Sequence, residues 1–388
     1  MIVRQLSLTD FRNYETLDVA LRPGANLFVG SNGQGKTNLV EALGYLSTLG
    51  SHRVSVDHAM IRQGQDAAII RARLLHAERE ILAEVQINRS AANRAQVNRS
   101  AIKTKDLPRY FSSVLFAPED LALVRGEPSG RRRFMDELLV LRTPRMSGVL
   151  ADYDRVLRQR NTLLKSARSS GVRGEQLSTL DIWDERLVAI GSEIIHARSA
   201  LVAELTPEVT IAYTAIAGSD HAAFLTTYLS ILASAPDDDA TDASATRAGV
   251  ITAEVSAAAF RAALARLRRA ELDRGVTLVG PHRDDLVLEL NGLPARGYAS
   301  HGESWSFALA LKLASAAVLR RESSSGDPVL ILDDVFAELD QSRRGRLADA
   351  VGDFEQVLIT AAVLEDVPDN LAGNVVRIQA GRVVDGGD

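Results

Sequence analysis

The sequence predicts an α/β fold interrupted by a long helical insertion, and three observations carry that prediction. A glycine-rich stretch, "LFVGSNGQGKTNLVEAL", joins an apolar run to an amphipathic one at Leu27–Leu43. A second apolar run, Val329–Leu332, ends in the acid pair Asp333 and Asp334. Between them, from about Ser129, the apolar residues change to i, i+3, i+4 spacing.

Taken in order, Met1–Leu8 alternates apolar and polar residues, and "VALRPGANLFVG" (Val19–Gly30) reads as a strand, a Pro-Gly turn and a buried strand. After Thr37, Leu39, Val40, Leu43 and Leu46 recur at helical spacing. From Ala67 to Val97, "AIIRARLL", "EILAEVQI" and "RAQVN" alternate, which predicts an antiparallel layer beside the first. "RRRFMDELLVLRTPRMSGVLADYDRVLRQRNTLLK" and "LDIWDERLVAIGSEIIHARSALVAEL" read as helices. Ala233–Thr252, rich in Asp, Ala, Ser and Thr, has the composition of a solvated, mobile loop. Val255–Asp273 reads as a helix, followed by "GVTLVG" and "DLVLEL" as two strands flanking Pro281-His282-Arg283-Asp284. The chain closes with helix Glu303–Arg320, strand Val329–Leu332, helix Gln341–Val351 and strand Val357–Thr360. The expected division is lobe I over residues 1–128 and 275–388 and a helical lobe II over 129–274, which contains the Asp-rich loop at 233–252.

Composition narrows the chemistry. The chain of 388 residues has no cysteine, which excludes disulfides, thiolate metal sites and cysteine nucleophiles. There is no run of eighteen apolar residues, and Arg4 and Asp10 break the N-terminal apolar stretch, so neither a span nor a signal peptide is expected: the reading is a cytoplasmic protein with no membrane partner. Net charge is −5, so contact with nucleic acid must come from local patches.

Gly30, then four residues, then Gly35-Lys36-Thr37 is the spacing of a phosphate-binding loop, and it stands in the strand–loop–helix context that the motif requires. Glycines let the backbone turn close to an anion, so the N–H groups of Asn32, Gly33, Gln34, Gly35 and Lys36 would face the β-phosphate of ATP, with Ser31 and Asn38 at the two ends of the same binding segment. Lys36 would reach the β- and γ-phosphates and the Thr37 hydroxyl would ligate Mg²⁺. The plain alternative is a glycine-rich turn. In "VLILDDVFAELD", Asp333 would hold Mg²⁺ through water while Asp334 polarises the attacking water. The alternative is a pair of acids capping the next turn.

Lys36 and Asp333 are 297 positions apart, far more than in a small GTPase or nucleotide kinase, and a cassette-type P-loop ATPase accommodates such an insertion. That architecture also needs a signature sequence before the second acid. "YASHGESWSFALALKLA" supplies a candidate, a helix opening with Ser300, Gly302 and Glu303. Taken alone, Ser300 is equally an N-cap completed by Glu303.

Together, "LTDFRNYETLDVALRPGANLFVGSNGQGKTNLVEAL", "FAPEDLALVRGEPSGRRRFMDELL", "LVGPHRDDL" and "VLILDDVFAELD" resemble the blocks of the RecF family of bacterial DNA replication and repair ATPases. The resemblance implies an ABC-type ATPase head related to those of chromosome-maintenance proteins, α/β with an antiparallel β layer and an inserted helical lobe. It further implies slow DNA-stimulated ATP hydrolysis, an ATP-dependent homodimer, binding to double-stranded DNA and duplex–gap junctions, and loading of recombinase at single-strand gaps with RecO and RecR. Residue by residue, it implies that Ser300 and Gly302 contact the γ-phosphate held by the other subunit, that Asp340 lies in the loop crossing that interface, and that Arg12 points at the nucleotide phosphates. Arg12 paired with Asp10 is the plain alternative. Thr360 occupies the place of the histidine in transport ATPases, and two departures stand out: Pro118, beside Glu119 and Asp120, fills the place of a metal-contacting glutamine, and the signature has His301 and Glu303 where a glutamine-rich version is commoner. Pro281-His282-Arg283-Asp284 reads either as site lining or as a rigid turn.

For DNA, Arg89, Arg94, Arg99, Lys103, Lys105 and Arg109 face only Asp106 in their stretch, a local net charge of +5. Arg131-Arg132-Arg133 is a second candidate and Arg266, Arg268 and Arg269 a third. Any of these is otherwise a solvated face. No aromatic ladder accompanies them, so single-strand stacking is not indicated. The rival functions are an ABC subunit of another assembly such as a transporter, and a scaffold that binds ATP without hydrolysing it.

Overall fold

The computed structural model describes residues 1–170, 178–218, 221–233, 247–323, 325–371 and 373–384. The chain forms two compact units. One comprises Met1–Leu121, Ile211–Asp220 and His301–Asp388, the other Ala122–Thr210 and His221–Ser300. The divisions at 121/122 and 300/301 stand where the sequence reading placed 128/129 and 274/275. The reason is pairing: Asp285–Leu290 adds antiparallel to Ala223–Tyr228, which draws its segment into the second unit.

In the first unit, a six-stranded antiparallel sheet runs in the order Tyr14–Ala20, Ile2–Phe11, Ala67–His76, Arg79–Asn88, Arg94–Val97, Ser100–Ile102. Strict alternation explains it: Ala68, Ile70, Ala72 and Leu74 are buried on one face, as the period of two requires. A second six-stranded sheet is ordered Arg382–Val384, Asn374–Gln379, Gly24–Val29, Gln356–Ala361, Val329–Asp333, Ser113–Phe116. Its strands pair in parallel except for the Arg382–Val384 edge. Strands covered on both faces read as continuous apolar runs, and Val329, Leu330, Ile331 and Leu332 are fully buried. The helix Lys36–Thr48 contributes Leu39, Val40, Leu43 and Leu46 to one core with both sheets.

The second unit contains the helices Pro128–Arg142, Met146–Ser170 and Ala253–Arg274 and the greater part of Ser178–Ala217. A four-stranded sheet, Arg247–Ala248, Ala223–Tyr228, Asp285–Leu290, Leu293–Pro294, accompanies them. Among the described residues, Thr179–Ala217 is long and apolar enough to cross a bilayer by length and composition; its side chains at Leu187, Ile194, Ile195, Leu201 and Leu205 are buried, as in a core helix of a globular unit.

Two expectations are corrected. "GVTLVG" is not a strand, because side chains take its backbone donors: Thr277 N–H donates to Asn161, Leu278 N–H to Glu271 and Gly280 N–H to Ser230. The expected loop over 233–252 lies largely outside the described residues, yet its end is structured. Arg247–Ala248 pairs with Tyr228 and Thr227, Ile251 is buried, and the Thr252 hydroxyl caps the next helix by accepting from Val255 N–H.

Candidate functional site

The parallel sheet of the first unit brings three strand ends side by side. Val29 pairs with Ala361 and Asp333 with Thr360, so the loop after Gly24–Val29 and the acids after Val329–Asp333 emerge together at the carboxyl edge, separated by one strand. Crevices of α/β sheets form at such edges.

Backbone conformation explains the glycines of the loop. Gly33 has φ 81° and Gly35 φ 114°, both in the left-handed region. A Cβ on Gly35 would also lie 2.8 Å from the Tyr14 hydroxyl and from Asn13 Nδ2. Tyr14 donates to Gly35 O at 2.9 Å and Asn13 Nδ2 to Gln34 O at 3.2 Å, while Ala380 N–H donates to Gln34 Oε1 at 2.6 Å. The loop is thus clamped from both sides, and the N–H groups that open the helix have no partner within it. Such a nest holds anions.

Lys36 is buried, 3 % exposed, with Nζ 3.4 Å from Ser31 O. The Thr37 hydroxyl donates to Asp333 Oδ1 at 3.0 Å, and Thr360 donates to the same oxygen at 2.7 Å. Thr360 in turn accepts from Asp334 N–H at 2.8 Å, which fixes Asp334 at φ 52°. Burial pushes the Asp334 carboxyl above the usual range and the nearby Lys36 opposes this. A hydroxyl and a carboxylate this close form a hard-oxygen donor pair of the kind that suits Mg²⁺.

Arg12 is not free toward the loop. Its Nε and Nη2 donate to the two oxygens of Glu41, which is 1 % exposed, and Nη1 to Ala59 O. Nor does it pair with Asp10, which holds Arg62. Asn38 links Asn13 to Arg53, accepting from Arg53 Nη1 at 2.8 Å and donating to Asn13 Oδ1 at 2.8 Å.

Ser300 immediately precedes the helix His301–Glu322. In that helix, a Cβ on Gly302 would lie 3.0 Å from Arg343 Nη2, so the position is crowded. Arg343 also donates to Ser306 at 3.1 Å and pairs with Asp340. Asp340 caps the helix Gln341–Val351 by accepting from Arg343 N–H at 2.9 Å, and that bond holds its carboxyl below the usual range. At the Pro118 position, Asp120 is taken by Lys312 at 2.9 Å and by Ala117 N–H.

The six cations from Arg89 to Arg109 are exposed and lie on or beside the last two strands of the antiparallel sheet, Arg94–Val97 and the edge strand Ser100–Ile102. Arg109 has Asp106 at 3.5 Å and Arg89 donates to Gln65 O. The second candidate patch is corrected: Arg131 is buried and bidentate to Asp285 at 2.8 and 2.7 Å, so it presents nothing to a phosphate backbone. Arg132 donates to Asp284 O and Arg133 to Glu137. In the third, Arg268 is engaged by Asp181 and Asp184. Pro281-His282-Arg283-Asp284 is a turn in the second unit with Pro281 and Asp284 buried and Arg283 exposed; the Tyr153 hydroxyl lies 2.8 Å from His282 Nδ1, and Ser230 donates through N–H and hydroxyl to Asp284. Pro281 and His282 also line a cavity there of about 350 Å³.

Sequence reasoning missed Glu41, Tyr14, Asn13 and the segment Ser51-His52-Arg53. The signal available was three polar residues that follow, after two intervening positions, the helix Lys36–Thr48 that begins at the phosphate loop.

The family described as "RecF/RecN/SMC N terminal domain" matches residues 2–379. The chain is 71% identical over 388 residues to the DNA replication and repair protein RecF of Clavibacter sepedonicus, covering 99% of this chain and 95% of that protein. It is 65% identical to the protein of the same description from Leifsonia xyli subsp. xyli, covering 99% and 100%. Among solved structures, the recombination mediator protein RecF-ATPrS of the RecFOR pathway superposes with a TM-score of 0.85 at 28% identity, covering 98% of this chain and 97% of that one. An Smc head bound to a winged-helix domain of ScpA superposes at 0.53 with 13% identity, a likeness of fold alone. With the phosphate loop and the paired acids at one sheet edge and relatives matched along the whole chain, the chain belongs to the RecF family of replication and repair proteins, built on the ABC-type head that this family shares with SMC proteins.

Proposed function

We propose that the chain binds ATP at the edge shared by Lys36, Thr37 and Asp333, dimerises on it, and binds duplex DNA in recombinational repair. The observation that carries this reading is the 3.0 Å hydrogen bond between Thr37 and Asp333. Two residues so far apart in sequence meet at the start of the helix that follows the glycine loop, and the related RecF structures were solved with ATP and ATPrS.

Lys36 neutralises the β- and γ-phosphates, and Ser31, Asn32, Gly33, Gln34 and Gly35 present the backbone donors that orient them. Thr37, and Asp333 through water, would hold Mg²⁺, which would supply charge neutralisation to the phosphates when bound. Asp334, raised by burial and pinned through Thr360, accepts the proton of the attacking water. Ser300 and Gly302 at the helix start receive the γ-phosphate of a second subunit, with Asp340 alongside that interface. Hydrolysis is slow, since the Asp334 side chain is short, and DNA accelerates it. The exposed cations Arg89, Arg94, Arg99, Lys103, Lys105 and Arg109 contact the backbone of duplex DNA and of duplex–gap junctions. RecO and RecR are the partners that fit the RecFOR pathway to which the related structures belong.

Light scattering with ATP, ADP or no nucleotide tests the reading. A dimer with ATP alone is expected, and a mass that ignores nucleotide would refute it.

A further inference from the structure

We infer that His52 is a ligand of the nucleotide–metal assembly, reaching an oxygen that it shares with Asp333; the inference rests on the ATP-site reading above. His52 Nε2 lies 3.8 Å from Asp333 Oδ2, too far for a hydrogen bond, and it is buried without any hydrogen-bond partner. The other oxygen of Asp333 is already occupied by Thr37 and Thr360. One oxygen atom placed between Nε2 and Oδ2 stands within about 2.8 Å of both, because 3.8 Å is shorter than two such bonds laid end to end. That place is filled either by a water of the metal shell or by a terminal phosphate oxygen, and the Nε2–H tautomer donates to either.

The segment is built to hold the ring there. Leu49, at φ 56°, ends the phosphate-loop helix and turns the chain back. Ser51 then donates to Glu41 Oε1 at 2.5 Å and accepts from the N–H groups of Arg53 and Val54 at 2.9 and 3.1 Å. Arg53 donates to Asn38 at 2.8 Å. His52 is therefore anchored on both sides to residues of the helix that begins at the phosphate loop.

The experiment is equilibrium binding of fluorescent ATP and ADP, each with and without Mg²⁺, to wild type, His52→Ala and His52→Gln, with thermal melts of the free proteins as the check on folding. His52→Ala is expected to weaken binding about tenfold, the scale of one hydrogen bond to a charged acceptor, and His52→Gln to recover most of it. A loss that needs Mg²⁺ with either nucleotide assigns the shared oxygen to metal-bound water. A loss with ATP alone, regardless of Mg²⁺, assigns it to the γ-phosphate. Wild-type affinity for His52→Ala in all four arms overturns the inference and leaves the ATP site standing. No ATP binding by wild type overturns the site reading itself. Should His52→Ala not fold, His52→Asn, whose amide is too short to reach, makes the same comparison.

Discussion

Thr37 and Asp333, 296 residues apart in the chain, share a 3.0 Å hydrogen bond at the end of one parallel sheet. Only the fold can bring them together, because Gln356–Ala361 must lie between the strand that feeds the loop and the strand that ends in the acid. The same bond gives each residue a distinct role, so their neighbours separate binding from hydrolysis.

Asp334→Asn should keep ATP affinity within about twofold and reduce hydrolysis by about a hundredfold, on the scale of losing a general base. Asp333 and Lys36 remain to hold the nucleotide, and an ATP-bound dimer should accumulate. Single-turnover hydrolysis beside light scattering checks both outcomes; wild-type turnover would remove Asp334 from the chemistry.

Reversing Arg94, Arg99, Lys103 and Lys105 to Glu should weaken duplex binding equally across sequences and leave ATP binding intact. These side chains stand exposed on or beside the last two strands of the antiparallel sheet, whereas Asp333 ends a strand of the parallel sheet and Thr37 opens the helix that follows another. In salt titrations followed by anisotropy, each lost phosphate contact should reduce the slope by about 0.9. An unchanged slope would make this edge a solvated face.

Asp284 gives a pH prediction independent of nucleotide. Burial pushes its carboxyl up from 3.8 to about 6, so between those values the native state holds a proton that the unfolded chain has released. Its contribution to stability is thus full below the lower value and is lost as pH rises through the upper one. Asp284→Asn keeps an acceptor for Ser230 and removes this linkage. Relative to wild type, the variant should gain about 1.4 kcal/mol per pH unit between about pH 4 and 6. Denaturant melts at three pH values measure the difference; a constant offset would contradict the assignment.

The phosphate loop and Asp333 were legible in the sequence because their chemistry is local: Gly33 and Gly35 need positive φ, and a buried strand must be a continuous apolar run. Arg131 was not legible. It stands in a run of three arginines that resembles a surface patch, yet its partner Asp285 is 154 positions away and both are buried. Arg12 failed in the same way, since Glu41 reads as one more polar residue on a helix until the turn after Phe11 is folded against it. "GVTLVG" has strand composition, but Asn161, Glu271 and Ser230 satisfy its backbone from distant elements. Local pattern reports period and turn chemistry; it is silent on which distant side chain meets a buried donor or charge.

The central claim is that Lys36 closes a site for the phosphates of ATP. Lys36 is buried beneath the loop, and Arg12 and Arg53 are committed to Glu41 and Asn38, so neither of these two cations stands in for it. Calorimetric titration of ATP with Mg²⁺ into wild type and Lys36→Met tests this most directly. Saturable one-site binding by wild type and a loss of at least about a hundredfold in the folded variant, about 2.7 kcal/mol, is the predicted result. Equal affinity of the two proteins would contradict it.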